Sequence, residues 1–245
     1  MTAARYAIYY APPEGSALCA FGRRWFGHDA ASHRDGGSGG ILGLSRGRLN
    51  VLSATSRAYG FHATLKAPFR LRSDAAELRA AVQAFARRRT PALAPPLRLA
   101  MFHGFLALAP GGPAPEAGRL AADCVRAFEP FRAPPTHREM ARRRASGLSS
   151  SQSALLARWG YPYVMDQFRF HLTLTDRIAD AAERMAIRQR IWPLLAPFRS
   201  APLQIDQICL CRQDEPGEAF VIEERYPLKG ALLPSPEATI GAAKP

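Results

Sequence analysis

Two short stretches of this chain carry the same alternation of apolar and polar positions. The first reads Phe61-His62-Ala63-Thr64-Leu65-Lys66 and the second Phe170-His171-Leu172-Thr173-Leu174-Thr175. Period-two alternation marks a half-buried β-strand, whose side chains point to opposite faces in turn. Phe61, Ala63 and Leu65 are expected on a buried face, with His62, Thr64 and Lys66 opposite. In the second stretch Phe168, Phe170, Leu172 and Leu174 take the buried face, leaving Arg169, His171, Thr173 and Thr175 on the other.

The same pattern, read along the whole chain, predicts strands over 5–11, 97–101, 104–109, 203–212 and 219–226. Helical spacing appears over 18–26, over 47–55 as a short piece, and after Ser73-Asp74, where Leu78, Ala81, Val82 and Phe85 recur at three and four. Further helices are predicted over 116–131, 149–159 and 180–195, with a helical or irregular stretch over 137–147. After each His-x-Thr strand the order is strand, helix, strand, strand. A repeated β-α-β-β order predicts an α+β fold. We expect two pseudo-symmetric lobes of antiparallel sheet, helices on their outer faces, around a central groove. Residues 1–229 form one two-lobed domain in this reading, and 230–245 a flexible tail.

Six His and eight Thr among 245 residues give roughly 0.2 His-x-Thr triplets by chance. Two such triplets, both on alternating strands, therefore point to paired chemistry. His and Thr two positions apart stand roughly 6–7 Å apart along a strand, so both reach one tetrahedral group. Displacement at phosphorus works with the attacking and leaving oxygens in line, which asks for a base on one side and an acid on the other. Histidine serves both roles, because its ordinary pKa lies near working pH. Thr64 and Thr173 can donate to non-bridging oxygens, and Lys66 and Arg169 share the faces from which charge could be neutralised. Arg142, Arg143 and Arg144 are a further basic cluster.

Composition narrows the partner. The formal net charge is +13, which favours anionic ligands such as phosphate esters or nucleic acid. Thirty of the 33 basic residues are Arg, a bias that a skewed genome also produces, so charge alone selects no substrate. No apolar run approaches the ~20 residues of a membrane span. With no signal-like start, we expect a cytoplasmic protein without membrane association. Four Cys make no disulfide framework, and Cys209 and Cys211 read as packing residues on one strand face. No carboxylate ligands accompany the His-x-Thr faces, so no metal and no cofactor is expected. The glycine-rich stretch at 35–40 lacks the Lys-Ser/Thr ending of a phosphate loop and reads as a surface loop.

The paired His-x-Thr motifs, each followed by a helix and a hairpin, resemble the 2H phosphoesterase superfamily. Arg5 to Tyr10, Tyr59 to Phe69, Trp159 to Tyr163 and Phe168 to Thr175 are similar to its bacterial branch associated with phosphonate use. The resemblance implies metal-independent opening of a cyclic phosphodiester, with His62 and His171 dividing the acid and base work. It implies a small phosphorylated substrate, a sugar cyclic phosphate from phosphonate breakdown. Thr64, Thr173, Lys66, Arg169, Tyr9 and Tyr163 are the expected substrate-binding residues. The glycine-rich stretch departs from the branch. Two alternatives stand beside this reading. One is an RNA-end enzyme acting on 2′,3′-cyclic or 2′-5′ linked termini, with Tyr161 and Tyr163 stacking a base; the other is a basic RNA-binding module.

Overall fold

The computed structural model describes residues 4–27, 43–145 and 147–230, with the side chain of Arg142 not among those described. The glycine-rich stretch, His28, His33 and residues 231–245 lie outside the described residues. In chain order the elements are β1 (Arg5–Tyr10), α1 (Ala17–Phe26), α2 (Arg46–Leu52), β2 (Ala63–Arg70), α3 (Ala75–Arg88), β3 (Ala92–Ala94), β4 (Leu97–Phe102) and β5 (Phe105–Pro110). There follow α4 (Pro115–Ala127), α5 (His137–Arg144), α6 (Ser150–Trp159), β6 (Leu172–Thr173), α7 (Ala181–Ile191), β7 (Leu203–Ile205), β8 (Gln207–Gln213) and β9 (Val221–Pro227). Polar caps start the helices. Ser16, Ser45, Asp74 and Asp180 each accept a backbone N–H of the first turn, and Thr136 and Ser149 form capping boxes with Glu139 and Gln152.

The strands make antiparallel sheets in the orders β2-β1-β8-β9 and β4-β5-β6, with β3 and β7 pairing as a two-stranded ribbon. Helix and antiparallel sheet are thus mixed as expected. The predicted order after each triplet also recurs, with an additional short strand each time: α3, β3, β4, β5 after β2, and α7, β7, β8, β9 after β6. Each sheet draws on both units: the β8–β9 hairpin joins the sheet of the first triplet, and β4–β5 joins that of the second. Strand pairing over long separations is a tertiary choice that element order leaves open.

Alternation along β1 separates two faces. Tyr6, Ile8 and Tyr10 enter the large apolar core with Phe61, Ala63 and Leu65. The helices α3 and α4 pack on that side, contributing Leu78, Val82, Phe85, Leu120 and Cys124. Ala7, Tyr9 and Ala11 face the other way and cluster with Cys209, Cys211 and Phe220. Both cysteines are buried free thiols. Among the described residues no helix is long and apolar enough to cross a membrane.

The second triplet departs from its prediction. Only Leu172–Thr173 pair as strand, opposite Leu108 and Ala107 of β5. Leu174 N and Thr175 N then both donate to Leu106 O, and Thr175 Oγ1 accepts from Leu106 N at 2.9 Å. This doubling of one partner ends the alternation, so Thr175 is fully buried instead of sharing the face of His171 and Thr173.

Candidate active site

His62 stands at the entrance to β2, just after a 3₁₀ turn, Ser56–Tyr59. Gly60 closes that turn at φ 70°, ψ −178°, a backbone conformation suited to glycine. The carbonyl of Gly60 accepts a hydrogen bond from His62 Nδ1 at 3.0 Å. With the proton held on Nδ1, Nε2 keeps its lone pair, and the Thr64 hydroxyl 3.2 Å away can donate to it. Tyr9, paired with Thr64 across the sheet, stacks on the imidazole at 3.8 Å between centroids. Burial pushes the His62 pKa down to about 4; the Gly60 carbonyl opposes this, and positive charge on His171 pushes the same way as burial. A mutual charge effect falls on the group that protonates second, and its presence puts the two imidazoles within electrostatic reach.

His171 is held by the same device. Its Nδ1 donates to the carbonyl of Arg169, two residues earlier, at 2.7 Å, again leaving Nε2 as the presented atom. The ring rests against Phe102 and Phe105, with centroids at 5.1 and 5.8 Å. These two residues flank the β4–β5 turn, where His103 and Gly104 both have positive φ, the tight two-residue geometry of a hairpin. Burial lowers the His171 pKa, opposed by the Arg169 carbonyl. Each imidazole is therefore oriented locally and backed by aromatic rings. Behind His62 the backing extends from Tyr9 and Tyr59 to Phe220, which precedes β9.

A direct link joins the two motifs. Asp176, three residues past Thr173, accepts from Thr55 N at 2.6 Å and Ser56 N at 2.8 Å, while its own N–H donates to Leu52 O. The turn that carries Tyr59 and the Gly60 carbonyl is thus tied to the chain leaving the second His-x-Thr.

His62, Thr64 and Tyr9 come together at the start of β2, His171 stands against Phe102 and Phe105 at the β4–β5 hairpin, and Thr173 is half-buried on β6. Tyr9 is buried beneath the His62 ring, so it supports that ring. Lys66 is a correction. Register shifts between Tyr6 and Ile8 and between Ile8 and Tyr9 disturb the β1–β2 pairing, so the alternation that places His62 and Thr64 does not carry to Lys66. The Lys66 side chain is buried, with Nζ donating to Val125 O at 3.1 Å and Glu129 Oε2 at 2.9 Å. Arg169 is exposed, and its guanidinium turns back to the carbonyls of Asp166 and Phe168. Tyr163 is exposed and meets Tyr161 edge-on, centroids 5.6 Å apart. Of the arginine cluster, Arg143 lies over the Tyr161 ring at 5.0 Å and Arg144 is exposed.

Sequence reading passed over Tyr59, Phe102, Phe105 and Asp176. The pair His103-Gly104 between apolar runs signals the hairpin. Nothing local shows that its flanking rings back a histidine far along the chain. Among the described residues no group of three or more His, Cys, Asp or Glu comes together as a metal site.

A family model described as a protein of unknown function, DUF1045, matches residues 64–221. The chain is 41% identical over 231 residues to ribose 1,5-bisphosphate phosphokinase PhnN of Janthinobacterium sp. (strain Marseille), covering 92% of this chain and 51% of that protein. It is 34% identical over 220 residues to the protein of the same name from Laribacter hongkongensis (strain HLHK9), covering 88% and 50%. The chain spans about half the length of these curated relatives. Among solved structures, E. coli LigT complexed with 3′-AMP aligns over 93% of this chain and 99% of that one. The identity is 13% and the TM-score 0.40, a likeness too slight to bear on the chemistry.

Proposed function

The chain belongs to the DUF1045 family, whose description names no activity, and we propose from the site itself a phosphodiesterase of the 2H phosphoesterase type. In this reading it opens a small cyclic phosphate by metal-independent acid–base catalysis between His62 and His171. One observation carries the proposal. Both imidazoles are tied through Nδ1 to the carbonyl two residues earlier, which presents Nε2 of each, and the charge of one is felt by the other.

His62, kept neutral by burial and by its neighbour's charge, takes a proton from water as the water oxygen bonds to phosphorus. The bond from phosphorus to one ring oxygen breaks, and protonated His171 gives that oxygen its proton. A phosphomonoester and a free hydroxyl result. The anionic substrate favours the protonated form of His171 that burial alone disfavours. Thr64 and Thr173 donate to the non-bridging oxygens as charge builds there.

The relatives are named for a phosphorylated ribose, which supports a phosphorylated sugar as the substrate class; a cyclic phosphate is the form the two-histidine site would open. Opening a ribosyl 1,2-cyclic phosphate at the bond to O2 leaves the phosphate on O1, one of the positions phosphorylated in ribose 1,5-bisphosphate. The exposed Tyr163 beside Tyr161 favours a second reading, an RNA-end enzyme whose terminal base stacks there.

A panel from ribosyl 1,2-cyclic to nucleoside 2′,3′-cyclic phosphates, assayed with wild type, His62→Ala and His171→Ala, tests the proposal. Each variant should lose ~10²–10⁴-fold in turnover, the scale of a missing general acid or base. Full rates in both variants would refute the assignment.

A further inference from the structure

The sheet that carries the second His-x-Thr has an open edge. β4 is the outermost strand of the order β4-β5-β6. On β5, Leu106 N donates to Thr175 Oγ1 at 2.9 Å, and Leu106 O accepts from the N–H groups of Leu174 and Thr175. Both groups of Leu106 therefore point towards β6, and Met101, its partner on β4, receives no ladder bond from it. The N–H and C=O of Met101, and by the alternation of the ladder those of Leu99, point outward from the sheet. Among the described residues no hydrogen bond reaches them. The start of the strand is covered: the 3₁₀ stretch Trp192–Phe198 packs against β4, and Arg98 Nη1 donates to Arg199 O at 2.9 Å. The open length is 99–101. Edges of this kind are usually blunted by a charge, a proline or a bulge. This one presents Met101, 60% exposed.

Beside this edge, between β4 and α7, lies a cavity of about 330 Å³. Leu99, Met101 and Leu106 line it from the sheet, and Met185, itself 50% exposed, from the helix. Arg188 of α7 lines it too; it is exposed, and its guanidinium makes no hydrogen bond or ion pair among the described residues. The helix dipole explains a cation near the end of α7, but neither the apolar cavity nor the unbonded strand. We propose that this groove docks an extended, acidic peptide segment of a partner protein, which adds to β4 as a further strand. Each feature fixes one property of the occupant. The outward N–H and C=O groups of Leu99 and Met101 require an extended backbone. Every second side chain of the added strand then points, like Leu99 and Met101, into the cavity, so apolar residues alternate along it. Arg188 selects a carboxylate. A second copy of this chain fits poorly, because each copy carries a net charge of +13. His171 rests on Phe102 and Phe105, whose side chains leave the other face of the hairpin, so docking keeps the histidine accessible. The proposal does not depend on the phosphodiesterase reading.

Fluorescence polarisation of a short labelled peptide, in which leucine and threonine alternate and glutamates close one end, tests the groove on the 245-residue chain. Saturable binding is expected. N-methylating the peptide amides that face β4 should weaken it ~10–100-fold, the scale of lost backbone hydrogen bonds. Met101→Pro should weaken it comparably from the protein's side. The N–H it removes takes no part in the β4–β5 ladder, so the fold is kept, and Met101→Leu should bind as wild type does. Arg188→Glu should weaken the acidic peptide roughly fivefold, the scale of an exposed ion pair, and favour a version ending in lysines. Hydrogen exchange read by NMR should find the Leu99 and Met101 amides fast in the protein alone and slowed by the peptide. Four results would each overturn the proposal: no saturable binding up to ~1 mM peptide, indifference to N-methylation, slow Leu99 and Met101 amides without peptide, or sedimentation showing that wild type dimerises and Met101→Pro does not. The last would give the edge to a second copy. None of these readouts uses turnover, so a protein that binds the peptide but opens no cyclic phosphate would defeat the phosphodiesterase reading alone.

Discussion

Replacing Glu129 by Ala removes the carboxylate that holds two cations at once. Oε2 accepts from Lys66 Nζ at 2.9 Å, and Oε1 accepts from Arg132 Nε and Nη2 at 3.0 and 2.6 Å. The Lys66 side chain is 4% exposed, so without Glu129 its ammonium keeps the Val125 carbonyl and the face of the Phe69 ring, 5.3 Å away, with no carboxylate among these contacts. Breaking a buried pair from one side costs about 3–5 kcal/mol, because the remaining charge is stranded. Glu129 is itself 22% exposed, which lets water approach and selects the lower end, about 3 kcal/mol. For a chain of this size each kcal/mol lowers Tm by about 2–4 °C, so thermal melting should move down by roughly 6–12 °C. The double variant Lys66→Met with Glu129→Leu removes the charges together and should regain most of that loss. Thermal and urea denaturation followed by circular dichroism read both. A Glu129→Ala protein within ~0.5 kcal/mol of wild type, or a double variant no more stable than the single one, would refute the structural role assigned to Lys66. The site should feel the change as well. Arg132 packs against Gly160, where an added Cβ would stand 2.9 Å from Nη1, and Gly160 immediately precedes Tyr161.

Two further outcomes are expected from the same geometry. With His62 as base, kcat/KM falls as pH drops through about 4; with His171 as acid, it falls as pH rises through a value below 6.5. The profile should therefore be a bell with an acidic optimum, and a rate still rising above about pH 8 would contradict the assignment. Asp176→Ala removes two acceptor contacts that hold the turn before His62. It should cost about 1–2 kcal/mol of stability, as a lost cap does, and roughly tenfold to hundredfold in kcat through misplacement of the His62 ring. Asp176→Asn should recover part of both, and a stability loss with unchanged kcat would leave Asp176 purely structural.

Much of the molecule was legible locally. Period-two alternation located the strand of the first His-x-Thr, the short strand within the second and the shared face of Cys209 and Cys211 on β8, because a strand exposes successive side chains to opposite faces. The polar pair Ser73-Asp74 announced α3, whose N-cap is Asp74. Chance arithmetic on the repeated triplet pointed to paired imidazoles, since two matching motifs are rarer than one. Other features depend on partners distant in the chain. Lys66 turned to an internal carboxylate because a register shift between paired strands interrupts an alternation that looks unbroken in one strand. Thr175 was buried by two N–H groups converging on one carbonyl of β5. The exchange of hairpins between sheets, the rings behind each histidine and the link through Asp176 are all pairings across long separations. Local pattern decides which face a side chain takes along a strand; which strand, ring or carboxylate stands opposite is decided only when the chain has closed on itself.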